Sequence, residues 1–229
     1  MSDVRVKVCG LTRREDAELA LDLGAWTLGL IFFPASPRRC SEVEALRISR
    51  LARRRAEVCG VFVNAHLEEV VGLADALGLT MLQFHGDEGP AYCGQAARRT
   101  GCSVIKGASL RTRADLQALR TYATDFHLLD GAAAGLRGGT GRTFDWSLVA
   151  EHRGPTPVIV SGGLTPANVG EAIAATAPFA VDTASGTEAE PGVKDHALLE
   201  AFFGTVSAAA ANVDAATDAA EVAAVVPPT

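Results

Sequence analysis

The chain has 229 residues, 48 % of them hydrophobic, with 27 acidic against 21 basic side chains and a net charge of −6. That much apolar material fills a large core, and the acidic balance excludes a nucleic-acid surface, which needs clustered Lys and Arg against phosphates. No charge-free apolar run reaches the roughly 18 residues of a membrane span, and the start, MSDVRVKVCG, lacks the apolar region and cleavage site of a secretion signal.

A soluble cytoplasmic chain is therefore expected, with neither nucleic acid nor membrane as partner. The five cysteines, Cys9, Cys40, Cys59, Cys93 and Cys102, show no C-x-x-C pair and no zinc spacing. Free reduced thiols and no metal are the expectation. The basic run Arg53 to Arg55 reads as a solvated helix end.

In chain order, short apolar runs alternate with segments of helical period. VRVKVCG precedes Arg13–Leu23, TLGLIFF precedes Glu42–Arg53, VCGVFV precedes Leu67–Leu77, and TMLQF precedes Ala91–Arg99. SVIKGA then leads to Arg111–Leu119, FHLLD to Phe144–Ala150, PVIVSGG to Pro166–Ala175, and FAVD to a closing helix near Lys194–Phe203. Near-continuous Val, Ile and Leu in each strand, followed each time by a helix, implies a buried parallel sheet. Eight such units in about 205 residues fit a closed (β/α)8 TIM barrel, a single α/β domain over residues 1–205. Residues 206–229 are alanine-rich and read as an extension, partly helical or disordered.

Local punctuation sharpens the boundaries. Thr12 and Glu15 have the spacing of a capping box at the first helix, and Thr165-Pro166 repeats the signal, a hydroxyl cap followed by proline, at the seventh. In such barrels the carboxyl ends of the strands build the site. Those ends carry Cys9, Phe33-Pro34, Asn64, His85, Lys106-Gly107, Asp130, Ser161-Gly162-Gly163 and Asp182. The loops holding Gly162 and Gly163 after strand seven, and Ser185 and Gly186 after strand eight, suit an anion because glycine admits close approach to backbone amides. A phosphate is the expected occupant. Gly135–Thr143, also glycine-rich, lacks the spacing and lysine of a nucleotide loop and reads as a lid. Lys7 shares a strand face with Cys9 and is the expected source of positive charge that lowers the thiol.

These residues also carry a resemblance. V-K-V-C-G-L-T (6–12), F-x-x-S-P-R (33–38), G-V-F-V-N (60–64), L-Q-F-H-G (82–86), L-L-D (128–130) and G-x-G-R-T-F-D-W (139–146) occur in order. V-S-G-G-L-T-P-x-N-V (160–169), V-D-T-A-S-G-T-E (181–188) and P-G-V-K-D (191–195) follow. Over residues 4 to about 204 the chain resembles the phosphoribosylanthranilate isomerases of tryptophan biosynthesis. The resemblance implies a cofactor-free Amadori rearrangement of N-(5-phosphoribosyl)anthranilate to 1-(2-carboxyphenylamino)-1-deoxyribulose 5-phosphate. It places the general base on Cys9 and the general acid on Asp130. Arg38, or its neighbour Arg39, is then expected to hold the anthranilate carboxylate, with Lys7, Gln83, His85 and Asp182 also at the substrate.

Ala184 and Thr187 depart from the family pattern, which often has serine and valine there. The other readings are a different sugar-phosphate barrel enzyme and a non-catalytic sugar-phosphate binding subunit. A decarboxylating synthase would call for more strand-end lysines than Lys106, and a mere binder has no need of both Cys9 and Asp130. The expected assembly is a monomer or a homodimer.

Overall fold

A computed structural model describes residues 4–131, 147–152 and 154–225. Eight parallel strands close into a barrel: β1 (Arg5–Cys9), β2 (Thr27–Ile31), β3 (Glu57–Phe62), β4 (Met81–Phe84), β5 (Ser103–Ser109), β6 (Phe126–Asp130), β7 (Val158–Ser161) and β8 (Ala180–Thr183). Each strand pairs with the next, and β8 pairs with β1. Between and after them lie α1 (Arg14–Asp22), α2 (Glu42–Ala52), α3 (Leu67–Leu77), α4 (Pro90–Thr100), α5 (Arg113–Leu119), α6 (Ser147–Ala150), α7 (Val169–Thr176) and α8 (His196–Val225). The expected glycine-rich lid and the G-x-G-R-T-F-D-W segment lie outside the described residues.

Alternation along the strands divides the apolar side chains into two layers. Val6, Val8, Leu28 and Leu30 face outward and join the helices in one large core. Cys9, Cys59, Met81, Ile105, Leu128 and Ile159 face inward and fill the barrel. Trp26, Phe126 and Phe179, just before or at the starts of β2, β6 and β8, meet with ring centroids 5.4, 5.3 and 5.1 Å apart. Arg5 covers the Phe179 ring at 4.3 Å. The amino-terminal end of the barrel is thus packed shut by aromatic surface, and polar groups are left to the other end.

Two expected helix starts are corrected. The Thr12 hydroxyl donates to the Gly192 carbonyl at 2.5 Å, so it ties α1 to a distant loop, and Arg13 is the cap residue without a side-chain cap bond. At α7, Pro166 lies in a turn, and the Asn168 side chain accepts from the Thr165 amide at 2.8 Å before the helix begins at Val169. Thr12 had the right local spacing but its hydroxyl is taken by a distant carbonyl, whereas at Thr165 it is the backbone amide that is bound, by a side chain three residues on.

Beyond β8 the chain makes a 3-10 turn (Ser185–Thr187) and a small hairpin, β9 (Glu188–Glu190) with β10 (Val193–Lys194). Sequence periodicity does not reveal so short a hairpin, and it occupies the place where the closing helix was expected to begin. The helix starts at His196, capped by the Asp195 carboxylate, which accepts from the Leu198 amide at 3.0 Å. Buried Asp16 secures this junction by accepting from the Lys194 amide and pairing with Arg13 and His196. Leu199, Phe202 and Val206 bury one face of α8, which runs on through the expected boundary at residue 205 to Val225. No helix among the described residues is long and apolar enough to cross a membrane.

Candidate active site

Cys9 ends β1 with its side chain inside the barrel and only 5 % of the residue exposed. Its aligned neighbour on β2 is Gly29, where an added Cβ would lie 2.9 Å from the Cys9 sulfur. The missing side chain of Gly29 is what gives the thiol its space. Two residues back, Lys7 is fully buried, and its Nζ lies 2.7 Å from Asp182 Oδ1 on β8. The other carboxylate oxygen accepts from the Ser161 hydroxyl at 2.9 Å.

Lys7 pulls the thiol pKa down as expected, but burial outweighs it. Burial pushes the Cys9 thiol above its ordinary range, and the opposing pull of Lys7 and Lys194 does not overcome it, since Asp182 works against them. Burial by itself would pull the Lys7 ammonium down, but Asp182 and the neighbouring thiols drive it well above the usual lysine range. Lys7 stays charged, with that charge committed to Asp182. Lys7 and Asp182 therefore form the floor beneath Cys9, and both oxygens of Asp182, a residue expected at the substrate, are occupied within the barrel.

Asp130 ends β6, separated from β1 by β7 and β8, and lies level with Ser161 on β7. His85 follows β4 and turns Nε2 toward Asp130 Oδ2 at 3.7 Å. The other ring nitrogen, Nδ1, lies 3.0 Å from Gln83 Nε2. Burial lowers the His85 pKa, against the pull of Asp130 and Asp182 and with help from Lys7 and Lys106. The ring is consequently held neutral at physiological pH.

A third cluster flanks Cys9. Arg38 packs against Gly10 and chelates Glu188, with Nε at 2.9 Å from both oxygens and Nη2 at 2.7 Å from Oε2. Glu188 also lies 3.5 Å from Lys194 Nζ, which donates to the Ala184 carbonyl at 2.8 Å. Burial pulls the Lys194 pKa down despite Glu188, Cys9 and Asp182. Arg39 goes elsewhere, lining a cleft of about 400 Å³ with Cys40, Val43, Glu69 and Leu73. Of the two arginines, Arg38 is the one beside the thiol.

The two expected anion loops meet. Gly162 and Gly163 have φ values of 101° and 65°, a conformation other residues rarely adopt. A side chain on Gly186 would overlap the Leu164 carbonyl, so the loop after β8 packs directly onto the loop after β7. Thr183 adds a hydroxyl bond to Leu164 O at 3.3 Å. Thr187, one of the departures from the family pattern, is fully buried with its hydroxyl donating to Ala184 O at 3.3 Å, so its polarity is satisfied internally.

Two strand-end candidates leave the site. Lys106 points outward, opposite in face to Gly107, and bonds the Phe84 and Gly86 carbonyls at 3.3 and 2.6 Å, with Glu88 at 3.5 Å. Asn64 stitches β3 to the loop after β4, its backbone N–H donating to Glu88 Oε1 at 2.6 Å. Sequence reasoning gave no role to Gly29, Glu188 or Lys194. The only signal for the last two was their presence in the quoted V-D-T-A-S-G-T-E and P-G-V-K-D segments.

A family model described as N-(5'-phosphoribosyl)anthranilate (PRA) isomerase matches residues 6–205. An N-(5'-phosphoribosyl)anthranilate isomerase of Citrifermentans bemidjiense is 44 % identical over 191 residues, 83 % of this chain and 91 % of that one. A solved phosphoribosyl anthranilate isomerase in complex with reduced 1-(o-carboxyphenylamino)-1-deoxyribulose 5-phosphate superposes with a TM-score of 0.78 at 36 % identity, covering 90 % of this chain and 99 % of that chain. Monomers generated from a dimeric enzyme of Thermotoga maritima give the same score, identity and coverage.

Proposed function

The chain belongs to the N-(5'-phosphoribosyl)anthranilate isomerase family and is an isomerase of that substrate, and on this premise we propose that Cys9 is its general base and Asp130 its general acid. The carrying observation is that one barrel mouth presents a cysteine and an aspartate side chain from different strands, with two glycine loops packed together beside them. Asp130 protonates the furanose ring oxygen, and the sugar opens to a Schiff base. Cys9, as thiolate, removes the proton from C2, and the resulting enolamine tautomerises to the ketose by taking a proton at C1. Only protons move, so acid and base groups suffice for the chemistry.

The raised thiol pKa has two consequences. Less thiolate is present at neutral pH, but each thiolate is a stronger base. Lys7 supplies the buried charge that keeps this balance from shifting further toward the thiol.

Binding falls to the remaining groups. The amides of Gly162, Gly163, Ser185 and Gly186 hold the phosphate, and Arg38 holds the anthranilate carboxylate, its Nη1 taking no part in the Glu188 pair. Asp182 acts from below, fixing Lys7 and Ser161. Five unpaired, buried cysteines support a reducing cytoplasmic setting, and the dimeric relative supports a homodimer.

Affinity for reduced 1-(o-carboxyphenylamino)-1-deoxyribulose 5-phosphate tests the division between binding and chemistry. Arg38→Met is expected to weaken it by about 10- to 100-fold, roughly the worth of a charge-assisted hydrogen bond, while Cys9→Ser leaves it within about threefold. Equal losses in both variants would refute the division.

A further inference from the structure

Gln83 and His85 lie two residues apart on the same side of the chain as it leaves β4. The His85 ring rests on the backbone of β5 at Gly107, where an added Cβ would come within 2.6 Å of Nδ1. With that wall on one side and Asp130 on the other, the orientation of the ring is set, and what remains variable is which nitrogen carries the proton. Gln83 is 3 % exposed, and its Oε1 is buried without a hydrogen-bond partner among the described residues.

An amide nitrogen only donates, so Gln83 Nε2 at 3.0 Å from Nδ1 requires Nδ1 to accept. The proton of the neutral ring is then on Nε2, facing Asp130. Rotating the amide by half a turn would reverse this, burying the two amide hydrogens in place of one oxygen and turning a lone pair toward the carboxylate that Asp130 becomes as it gives up its proton. Both changes are electrostatically unfavourable, which selects the first arrangement.

We propose that Gln83 is a positioning residue that holds His85 as the neutral Nε2–H tautomer, and that His85 in turn positions Asp130 by offering this N–H to the carboxylate formed when Asp130 gives up its proton. At 3.7 Å the contact is too long for a hydrogen bond in the resting enzyme. As the proton moves to the ring oxygen, negative charge builds on Asp130 and the contact closes. An interaction made mainly in the transition state lowers the barrier, whereas an imidazolium would ionise Asp130 too early. Among the described residues, the charged groups whose fields reach His85 are Asp130 on β6, Asp182 on β8 and Lys7 on β1 within the barrel, and Lys106, which points outward from β5. Burial and the two lysines outweigh the two carboxyl groups even with Asp130 ionised, so the ring stays uncharged.

This inference rests on Asp130 as the acid, and the experiment separates the two. Gln83→Glu is nearly isosteric but presents only acceptors, so it demands a proton on Nδ1. Nitrogen-15 NMR of the parent is expected to find the His85 proton on Nε2, and in Gln83→Glu on Nδ1 or on both nitrogens. In the folded variant, kcat should fall by about 10- to 100-fold with KM within about threefold, the range of a mispositioned proton-transfer group. His85→Gln supplies an N–H that no tautomer can remove, so adding Gln83→Glu to it should cost less than twofold more. If the glutamate variant fails to fold, Gln83→Met, which removes the donor without adding charge, should lose kcat in the same sense. A parent His85 protonated on Nδ1, or a folded Gln83→Glu with unchanged kcat, overturns the proposal. Full activity in Asp130→Asn would instead overturn the acid assignment, and the tautomer measurement would be unaffected.

Discussion

A buried thiol that must act as a base imposes its titration on the rate. Burial raises the Cys9 pKa, so below that value the thiolate fraction grows about tenfold per pH unit. With Asp130 replaced by asparagine, which does not titrate, the residual kcat/KM is accordingly expected to climb from pH 6 to pH 9, and a flat profile in that variant would contradict a titrating thiol. Lys7 and Asp182 are both buried, so removing one partner strands the other. Lys7→Met should destabilise the fold by about 3–5 kcal/mol, read from the urea midpoint. Cys9, Asp130 and the shared face of Lys7 were legible in sequence because strand ends and strand alternation are local facts. The electrostatics were not legible. Lys7 lowers the thiol, but the net outcome is set by burial and by Asp182, which lies 175 positions from Lys7. The space for Cys9 comes from Gly29 on another strand, and no pattern around Cys9 announces it.

Elements carry the binding loops and their support. The turn after β8 packs onto the loop after β7 through Gly186, so Gly186→Ala must push the two apart. A rise in KM of at least tenfold with the melting temperature lowered by a few degrees is expected, and unchanged KM would dissociate this turn from the phosphate. On α8, Phe202 is fully buried at the centre of the helix's packed face. Phe202→Ala should cost about 3–5 kcal/mol, again measured by urea unfolding. The eight helices were legible from periodicity, while the caps were not. Thr12 and Thr165 obey the capping spacing, yet their partners at Gly192 and Asn168 follow from tertiary approach and turn geometry. The β9–β10 hairpin escaped because two and three residues are too few to show a period.

For the whole molecule, eight repeated units made the barrel legible, since buried parallel strands leave an unbroken apolar signature. The aromatic closure at one end was not, because Trp26, Phe126 and Phe179 meet only after the barrel closes. The acid sensitivity of the fold has a specific source in His127, which burial and His152 lower to about 4. Between that value and the unfolded pKa of about 6.5 the unfolded chain binds more protons. Stability from this group is complete above about pH 6.5 and is lost as the pH falls toward 4. His127→Leu should therefore flatten the decline of the melting temperature over that interval, and an unaltered slope would assign the decline to other groups.

The fold's main service is to bring Cys9 and Asp130, far apart in sequence, to one mouth. The most direct test follows the loss of anthranilate fluorescence as phosphoribosylanthranilate made in situ is isomerised. With the parent protein the signal should decay, and in Cys9→Ser and Asp130→Asn kcat should fall by at least about 10²- to 10⁴-fold with the fold intact. Unchanged rates in both variants would contradict the acid–base pair.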